Sequence, residues 1–436
     1  MNKLKGPKIL SKGEVSFAVP FVLVTSCFAL WGFANDITNP MVAAFSKIFR
    51  MSVTDGTLVQ VAFYGGYFAM ALPAALFIRR YSFKAGVLMG LGLYAIGCFL
   101  FFPARMTGNY YPFLIAYFIL TCGLSFLETS CNPYILSMGE EATATRRLNL
   151  AQAFNPMGSL CGMFVAMNFI QARINPMPAA ERATLSDVEF EAVKQSDLGI
   201  LIGPYLFIGI VILFIFLLVW LCKVPRVGEM TMGEQSVKST FCRLVRLPRY
   251  REGVIAQFFY VGVQIMCWTF IIQYGTRIFV AEGMTEAAAA VLSQKYNIVA
   301  MVCFCASRFI CTFLLKYVRP GTLLTVLASV AIILCVMVVM FRDVRGLYCL
   351  VAVSICMSLM FPTIYGIALT GLGEDAKLGS AGLIMSIVGG SVLPLFQARI
   401  IDMEEIFGWP AVNVSFVVPI ICFIVIVAYG LRSRNV

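Results

Sequence analysis

Long apolar stretches separated by short polar breaks run along nearly the whole chain. A helix rises about 1.5 Å per residue, so about 20 mostly apolar residues cross a hydrocarbon core of about 30 Å. Twelve stretches meet this length: 16–45, 56–78, 85–104, 110–138, 147–171, 199–222, 252–275, 289–315, 321–341, 346–372, 378–400 and 409–431. None alternates with period two, and lipid cannot satisfy free backbone groups. The pattern therefore predicts an all-α membrane protein with twelve transmembrane helices.

The polar breaks predict how these helices are grouped. The break at 223–251, between the sixth and seventh stretches, is rich in lysine and arginine. We therefore expect two six-helix halves, 16–222 and 252–431, joined by a basic linker at 223–251 and flanked by tails at 1–15 and 432–436. Most lysines and arginines fall on the side of the N-terminus, which predicts that both termini are cytoplasmic. Two such halves are typical of parallel repeats with a site at their interface.

Composition excludes several classes of protein. Hydrophobic residues make up 60% of the chain and charged residues 13%, far from the values of soluble domains. The chain has no histidine, which excludes histidine-dependent catalysis and histidine metal ligands. Its 15 cysteines form no CxxC pair, and no nucleotide-binding motif is present. The basic residues cluster at the ends of apolar stretches, so the net charge of +11 does not indicate nucleic acid. We expect no enzyme, no cofactor and no metal site.

Three charged side chains fall well inside the predicted spans: Asp36, Glu128 and Arg308. A charge at the bilayer centre costs at least ~2.5–3.5 kcal/mol, so each is a functional candidate. Asp36 and Glu128 lie near the midplane, and without histidine a carboxyl group is the natural carrier of a proton across the membrane. A structural bond to a neighbouring helix is the other interpretation. Arg308 lies nearer one end, which favours a gating or structural ion pair over direct substrate contact.

Prolines lie close to both carboxyl groups. Asn132-Pro133 follows Glu128, and Asn35-Asp36 precedes Asn39-Pro40. Proline removes a backbone donor, so both helices are predicted to kink beside the carboxyl groups, as a site lined by opened helices requires. Asn35 and Asn132 are therefore candidates for lining a site, although simple helix curvature explains the prolines as well.

Two stripes of polar side chains fall at helical spacing. The fifth span has a face of three amides: Asn149, Gln152 and Asn155. The seventh span has a mixed stripe: Gln257, Tyr260, Gln264 and Trp268. Amides can bind sugar hydroxyls and an aromatic ring can cover the C–H face of a sugar, so the stripes predict a sugar site. Hydrogen bonds between helices are the alternative.

Short motifs along residues 16–430 resemble one known family. The matching motifs are Ala62-Phe63-Tyr64-Gly65-Gly66-Tyr67-Phe68, Leu127-Glu128-Thr129, Asn132-Pro133, Arg147-Leu148-Asn149-Leu150-Ala151-Gln152, Phe154-Asn155, Ala256-Gln257-Phe258, Tyr260-Val261-Gly262, Gln264, Cys267-Trp268, Arg308-Phe309 and Pro362-Thr363-Ile364. With them the chain resembles the fucose:proton symporter family of the major facilitator superfamily. Tyr365, next to the last motif, joins the candidate sugar contacts.

The resemblance implies a major facilitator fold and secondary transport by alternating access. It implies proton coupling through Asp36 and Glu128 and sugar contact through Gln152 and Asn155. We expect a proton-coupled importer of a hexose, L-fucose first, that works as a monomer in a bacterial inner membrane. The run Trp31–Asp36 is shorter and poorer in asparagine than in the family's fucose transporters.

Several alternatives stay open at this point. Glucose, galactose or another sugar could be the substrate, and sodium could replace the proton. An exporter of apolar cations and a sensor without transport are rival functions.

Overall fold

Within the described residues, twelve helical spans are long and apolar enough to cross a membrane, as the sequence predicts. The computed structural model describes residues 11–12, 15–38, 41–51, 58–175, 177, 179–222, 237–403 and 405–434. We number the spans 1 to 12 in chain order: Ala18–Thr38, Val61–Arg80, Phe83–Thr107, Tyr111–Ser137, Glu141–Ile170, Asp187–Leu221, Pro248–Ala281, Val291–Leu314, Pro320–Met340, Val344–Leu369, Gly373–Ile401 and Ala411–Arg432. The part of the predicted linker at 223–236 and the Asn39-Pro40 pair lie outside the described residues.

Individual helices subdivide several of these spans. The α-helices are Ala18–Thr38, Met41–Ile48, Leu58–Arg80, Phe83–Thr107, Tyr111–Ser137, Ala144–Gln152, Phe154–Val165, Ala179–Thr184, Asp187–Leu221, Val237–Arg246, Pro248–Ala281, Glu286–Leu314, Pro320–Met340, Val344–Met357, Met360–Leu369, Ala376–Met385, Gly389–Ile401, Ala411–Val414 and Val417–Arg432. Short 3-10 helices cover Glu141–Thr143, Gly373–Asp375 and Ser386–Val388, and a π-helix covers Ala166–Gln171. Two antiparallel pairs of two-residue strands join Ser11–Lys12 to Val15–Ser16 and Glu405–Ile406 to Trp409–Pro410.

Span 6 differs most from its predicted bounds. Its helix begins at Asp187, well before the predicted start at 199. Ser186 accepts from the Glu189 backbone N–H, and the Glu189 carboxylate accepts from the Ser186 backbone N–H. This capping box stabilises a polar first part of the helix that an apolar pattern does not detect.

Contacts divide the chain into two compact units. The amino-terminal unit comprises the described residues of Leu10–Met138 and Phe154–Met230, and the carboxyl-terminal unit comprises those of Gly139–Ala153 and Thr231–Val436. Span 5 therefore belongs to both: its first helix, Ala144–Gln152, packs on the helices Glu286–Leu314 and Met360–Leu369. Its second helix, Phe154–Val165, packs on span 1. The two six-helix halves stay a prediction.

Span 4 is the most buried span of the amino-terminal unit. In its most apolar stretch 78% of the residues are buried, the largest share among the twelve spans. Glycines allow this: a Cβ on Gly90 would lie 2.9 Å from the Gly123 carbonyl, and a Cβ on Gly123 would lie 2.6 Å from the Gly90 carbonyl. Spans 3 and 4 thus meet backbone to backbone, which small residues permit in membranes.

The carboxyl-terminal unit is held by a large apolar and aromatic core. Phe270, Leu324, Leu350 and Phe423 are among its buried members, from spans 7, 9, 10 and 12. Span 10 is interrupted between its two helices, where the Ser358 hydroxyl donates to Ser307 of span 8 at 3.0 Å. This interruption gives span 10 a polar contact inside an otherwise apolar core.

The loop between spans 5 and 6 is fixed by a buried ion pair. Arg182 and Asp197 meet at 2.7 Å with both side chains almost fully buried. Arg182 also donates to the Asn175 carbonyl at 2.9 Å, and Lys47 donates to the same carbonyl at 2.7 Å. Partial burial, together with the charge of Arg182, lowers the pKa of Lys47. These contacts tie the described residues of the loop to the rest of the amino-terminal unit.

Candidate functional site

Glu128 lies in the middle of span 4, the most buried helix of its unit. Its side chain is 4% exposed, and its Oε2 atom has no hydrogen-bond partner within the described residues. A buried ionised carboxylate without a partner is costly, so such a group takes up a proton or meets an opposite charge. The position inside the bundle is the one expected from the sequence.

Tyr67 of span 2 is the polar side chain that faces Glu128. The two groups interact electrostatically, but the buried Tyr67 hydroxyl forms no hydrogen bond in the described part of the chain. The Tyr67 backbone carbonyl accepts from Ser125 of span 4 at 3.0 Å. This contact fixes spans 2 and 4 next to each other, one helical turn from Glu128. In the sequence Tyr67 belongs to a family motif, and no further signal distinguishes it from the other tyrosines.

Asn132 lies one turn after Glu128 and is fully buried. Its Nδ2 donates to the Glu128 backbone carbonyl at 2.9 Å. The helix continues through Pro133 to Ser137. Because Asn132 is bonded to the turn that carries Glu128, it is placed to hold that turn in position.

Asp36 and Asn35 lie in the last turn of span 1, and both are half-buried. Tyr64 of span 2 lies within electrostatic reach of Asp36. Tyr67 is on the same helix, one turn later, and faces Glu128. Span 2 thus presents one tyrosine to each of the two membrane carboxyl groups.

Asn155 lies in the second helix of span 5 and is half-buried. Its Nδ2 donates to the Phe28 carbonyl of span 1 at 3.2 Å. A Cβ on Gly158 would collide with the backbone of Ala29, so spans 1 and 5 are in close contact here. In this structure one donor of Asn155 therefore serves helix packing.

Asn149 and Gln152 lie in the first helix of span 5, which belongs to the carboxyl-terminal unit. A turn at Ala153 separates this helix from the helix of Asn155, so the three amides do not share one continuous helical face. Asn149 donates to the Thr363 hydroxyl of span 10 at 3.2 Å, and its Oδ1 has no partner in the described part of the chain. Gln152 is buried.

Gln257 and Tyr260 lie one turn apart in span 7, and both are fully buried. The Tyr260 hydroxyl donates to the Met357 carbonyl at 3.1 Å. Neither amide atom of Gln257 has a hydrogen-bond partner among the described residues. Buried polar atoms are nearly always paired, so an unpaired amide marks a place where a ligand or water can bind.

Gln264 and Trp268 continue the same stripe of span 7 and are half-buried. The Trp268 indole N–H donates to Ser354 of span 10 at 3.3 Å. The Trp268 ring meets the Phe304 ring of span 8 edge-on, with centroids 5.0 Å apart. The helix is continuous, so the predicted spacing places all four side chains of the stripe on one side.

Arg308 of span 8 is a buried cation of the carboxyl-terminal unit, only 3% exposed. Its Nη1 donates to the Gln152 carbonyl at 3.2 Å, which is the last carbonyl of the first helix of span 5. Its guanidinium lies 4.7 Å from the centre of the Phe304 ring, and Tyr260 is within electrostatic reach. The negative end of a helix dipole and an aromatic face both stabilise a cation.

Tyr365 lies in the second helix of span 10 and is fully buried. Its ring stacks with Phe361 at 6.3 Å, and Phe361 in turn meets Tyr260 at 6.2 Å. Phe304 and Phe361 were not predicted as site residues, because single phenylalanines in apolar spans carry no distinguishing pattern. Together these side chains form an aromatic and amide group built from spans 7, 8 and 10.

Among the described residues, no three His, Cys, Asp or Glu side chains come together in a way that could hold a metal ion. All the cysteines are free.

Comparison with known proteins gives a consistent result. Residues 24–395 match the family model of the Major Facilitator Superfamily. The chain belongs to the Major Facilitator Superfamily. The L-fucose-proton symporter of Haemophilus influenzae is 51% identical over 97% of this chain and 98% of its own length. The L-fucose-proton symporter of Escherichia coli is 33% identical over 96% of this chain and 94% of its own length.

A relative with a different substrate and a solved structure extend the comparison. The glucose/galactose transporter of Brucella abortus is 32% identical over 97% of this chain and 95% of its own length. A crystal structure of the superfamily transporter FucP in the outward conformation is 32% identical and superposes with a TM-score of 0.86 over 96% of this chain and 99% of that one. The fold is therefore the major facilitator fold, and the protein is a multi-pass membrane protein whose relatives are transporters.

Proposed function

We propose that this protein is a proton-coupled symporter that imports L-fucose by alternating access. The observation that carries the proposal is Glu128, a carboxyl group buried in the most buried span with an unpartnered oxygen. The strongest support from relatives is the 51% identity, over nearly the full length, to a protein named as an L-fucose-proton symporter. Two observations support proton-driven sugar uptake. The chain has a buried acid inside a membrane span, and two of its relatives are named as L-fucose-proton symporters.

The proton step is assigned to Glu128 and Asp36. Glu128 takes up a proton when water from the outer side reaches it, and it then becomes neutral and stable in its apolar surroundings. Tyr67 faces it and supplies a hydroxyl that can donate to the charged form. Asp36 is less buried and lies beside Tyr64, so it is placed to exchange protons with water.

The sugar is assigned to amide and aromatic side chains. Gln257 offers a donor and an acceptor that are unpaired within the described residues, and Asn149 offers an acceptor in the same state. Trp268 offers a half-buried ring for the C–H face of a sugar. Asn35, Asn132, Gln152, Asn155, Tyr260, Gln264 and Tyr365 stay candidate sugar contacts.

Arg308 is assigned a gating role. It contacts the end of the first helix of span 5 through the Gln152 carbonyl and so holds that helix against span 8 of the same unit. Asn149 adds a second attachment to Thr363. Breaking these two contacts would free that helix, so Arg308 controls how readily it changes position during the transport cycle.

The energy of the cycle comes from the proton. One charge that crosses about 100 mV contributes about 2.3 kcal/mol, which corresponds to roughly 50-fold accumulation of a neutral sugar. We assign the protein to a bacterial inner membrane, with both termini in the cytoplasm and the protein working as a monomer.

The test is uptake by the purified protein in proteoliposomes. Labelled L-fucose, D-galactose and D-glucose are compared at two external pH values, with and without sodium. We expect concentrative uptake of L-fucose that rises with an inward proton gradient and does not need sodium. Preferred uptake of glucose or galactose would support the function named for the Brucella relative instead.

Two further outcomes decide between the rival classes. Uptake that depends on sodium at fixed pH would show that sodium, and not the proton, is the coupling ion. No counterflow of any hexose, in protein whose melting curve shows that it is folded, would contradict sugar transport and favour a sensor.

A further inference from the structure

A short helix directly before span 7 has an exposed apolar stripe. The helix Val237–Arg246 packs on span 7 and on the helix Ala376–Met385 through its buried residues Thr240 and Leu244. Beside this buried face Val237, Phe241 and Val245 are 43%, 59% and 43% exposed. They are four residues apart, so they form one stripe along the helix.

Cations flank this stripe. Lys238 and Arg246 of the same helix are exposed, and so is Arg251 in the first turn of span 7. None of the three forms an ion pair with a described residue. Arg243 differs, because it forms a bidentate pair with Asp375 at 2.7 and 2.8 Å, which raises its pKa. Asp375 thus neutralises one cation of the helix and leaves the others available.

The place of the helix in the chain identifies its surroundings. Leu247 separates it from Pro248, where the candidate membrane span 7 begins, so the helix adjoins the end of that span. A helix with an apolar stripe and basic flanks, next to a membrane span, is typical of helices that lie in the interface of a bilayer. Clusters of lysine and arginine at this level bind anionic lipid headgroups.

We propose that the helix Val237–Arg246 is a docking site for anionic phospholipids in the leaflet where span 7 begins. Val237, Phe241 and Val245 contact the acyl chains, and Lys238, Arg246 and Arg251 bind the headgroup phosphates. The Arg243–Asp375 pair joins the helix to the first turn of span 11. Lipid that orders this helix therefore also acts on span 11.

The test uses the full chain with Phe241→Trp in vesicles whose acyl chains are brominated. The vesicles are made of phosphatidylcholine with or without phosphatidylglycerol, and the quenching of the wild-type tryptophans is subtracted. We expect quenching of the new tryptophan that rises on titration with phosphatidylglycerol. Adding Lys238→Gln and Arg246→Gln shifts the titration midpoint by roughly 30-fold, since each cation near an anionic surface contributes about 5-fold.

The matched control is Lys316→Gln with Arg319→Gln, which removes two exposed cations from the break between spans 8 and 9. We expect its midpoint to stay close to that of the parent. If the control shifts the titration midpoint equally, the effect comes from the total surface charge of the protein and not from this helix, and the proposal is overturned. Equal quenching in both kinds of vesicle would overturn the headgroup site, and no quenching in either would show that protein or water covers the stripe. The readout needs no sugar, so it is independent of the proposed transport function.

Discussion

The two units differ in the charged side chains that they bury. In the amino-terminal unit the buried charges within the described residues are Glu128 and the Arg182–Asp197 pair. In the carboxyl-terminal unit they are all cations, Arg147, Arg308 and Lys377. An acid that can exchange a proton is thus in one unit, and donors suited to hydroxyl groups or carbonyls are in the other. Under the proposed roles of Glu128 and Gln257, we expect mutations in the two units to change proton coupling and sugar affinity separately.

Packing follows the same division. Around Glu128, spans 3 and 4 meet backbone to backbone at Gly90 and Gly123. The stripe of span 7 that contains Gln257 also carries aromatic side chains: Tyr260 meets Phe361, and Trp268 meets Phe304. Aromatic rings of this kind can change rotamer to accommodate a ligand. A rigid surrounding suits an acid that must stay dry between protonation steps, and an adjustable one suits a bound sugar.

The largest effect is expected for Glu128→Gln. Glutamine keeps the shape of the side chain but cannot gain or lose a proton, so accumulation should fall from roughly 50-fold to none. Counterflow of L-fucose, which needs no proton gradient, should persist. Both are measured with labelled sugar in proteoliposomes. The exposed Glu282→Gln is the control and should accumulate sugar normally. Full pH-driven accumulation by the Glu128→Gln protein would remove the proton role from this residue.

Gly123→Ala should destabilise the amino-terminal unit. The added methyl group would press on the backbone of span 3, and overpacking of this kind costs about 1–3 kcal/mol. Thermal unfolding in detergent measures the loss. Gly203→Ala in span 6 is the control, because a Cβ there meets nothing within 4 Å. A melting temperature that is equal for the two variants would show that the close approach at Gly123 does not limit stability.

Arg308→Met should slow transport, as expected for a gating residue. Loss of a charged donor to the Gln152 carbonyl weakens the hold on the first helix of span 5 by about 1.5 kcal/mol. We take the position held by this contact to be one that the helix must reach in every cycle. Its loss should therefore lower the maximal rate of uptake about 10-fold with little change in the half-saturating sugar concentration, since 1.4 kcal/mol is a factor of ten. Arg308→Lys should restore part of the rate, and the exposed Lys316→Met should change nothing. A raised half-saturating concentration at an unchanged rate would instead make Arg308 a direct sugar contact.

Gln257→Leu should have opposite effects on stability and on affinity. Leucine removes two buried polar atoms that lack partners in the described part of the chain, so the melting temperature without sugar should rise. Affinity for L-fucose should fall about 5-fold, because a neutral hydrogen bond contributes about 1 kcal/mol. Gln397→Leu is the control: its amide already donates to Ser415, so stability should fall while affinity stays the same. A lower melting temperature and unchanged affinity for Gln257→Leu would assign Gln257 to helix packing.

The sequence predicts the spans well because hydrophobic length is a direct requirement of the bilayer. It misses the start of span 6, where Ser186 and Glu189 cap a polar turn. It also misses the helix Val237–Arg246 inside the predicted linker. Both features depend on local capping or side-chain placement rather than on a long apolar run.

The candidate site is predicted in part. Glu128 and Arg308 stand out in the sequence because a charge inside a span is rare, and the structure places both in buried positions. The turn at Ala153, which separates Gln152 from Asn155, has no strong signal because alanine favours helix. Phe304 and Phe361 gain meaning only from the side chains that they touch in three dimensions.

The ion pair between Arg182 and Asp197 determines how the conformation near it responds to salt concentration. Dissolved ions weaken an exposed ion pair such as Arg345–Asp343. They screen the buried Arg182–Asp197 pair much less. The described residues of the loop that follows span 5 should therefore keep their conformation equally well at high and at low ionic strength.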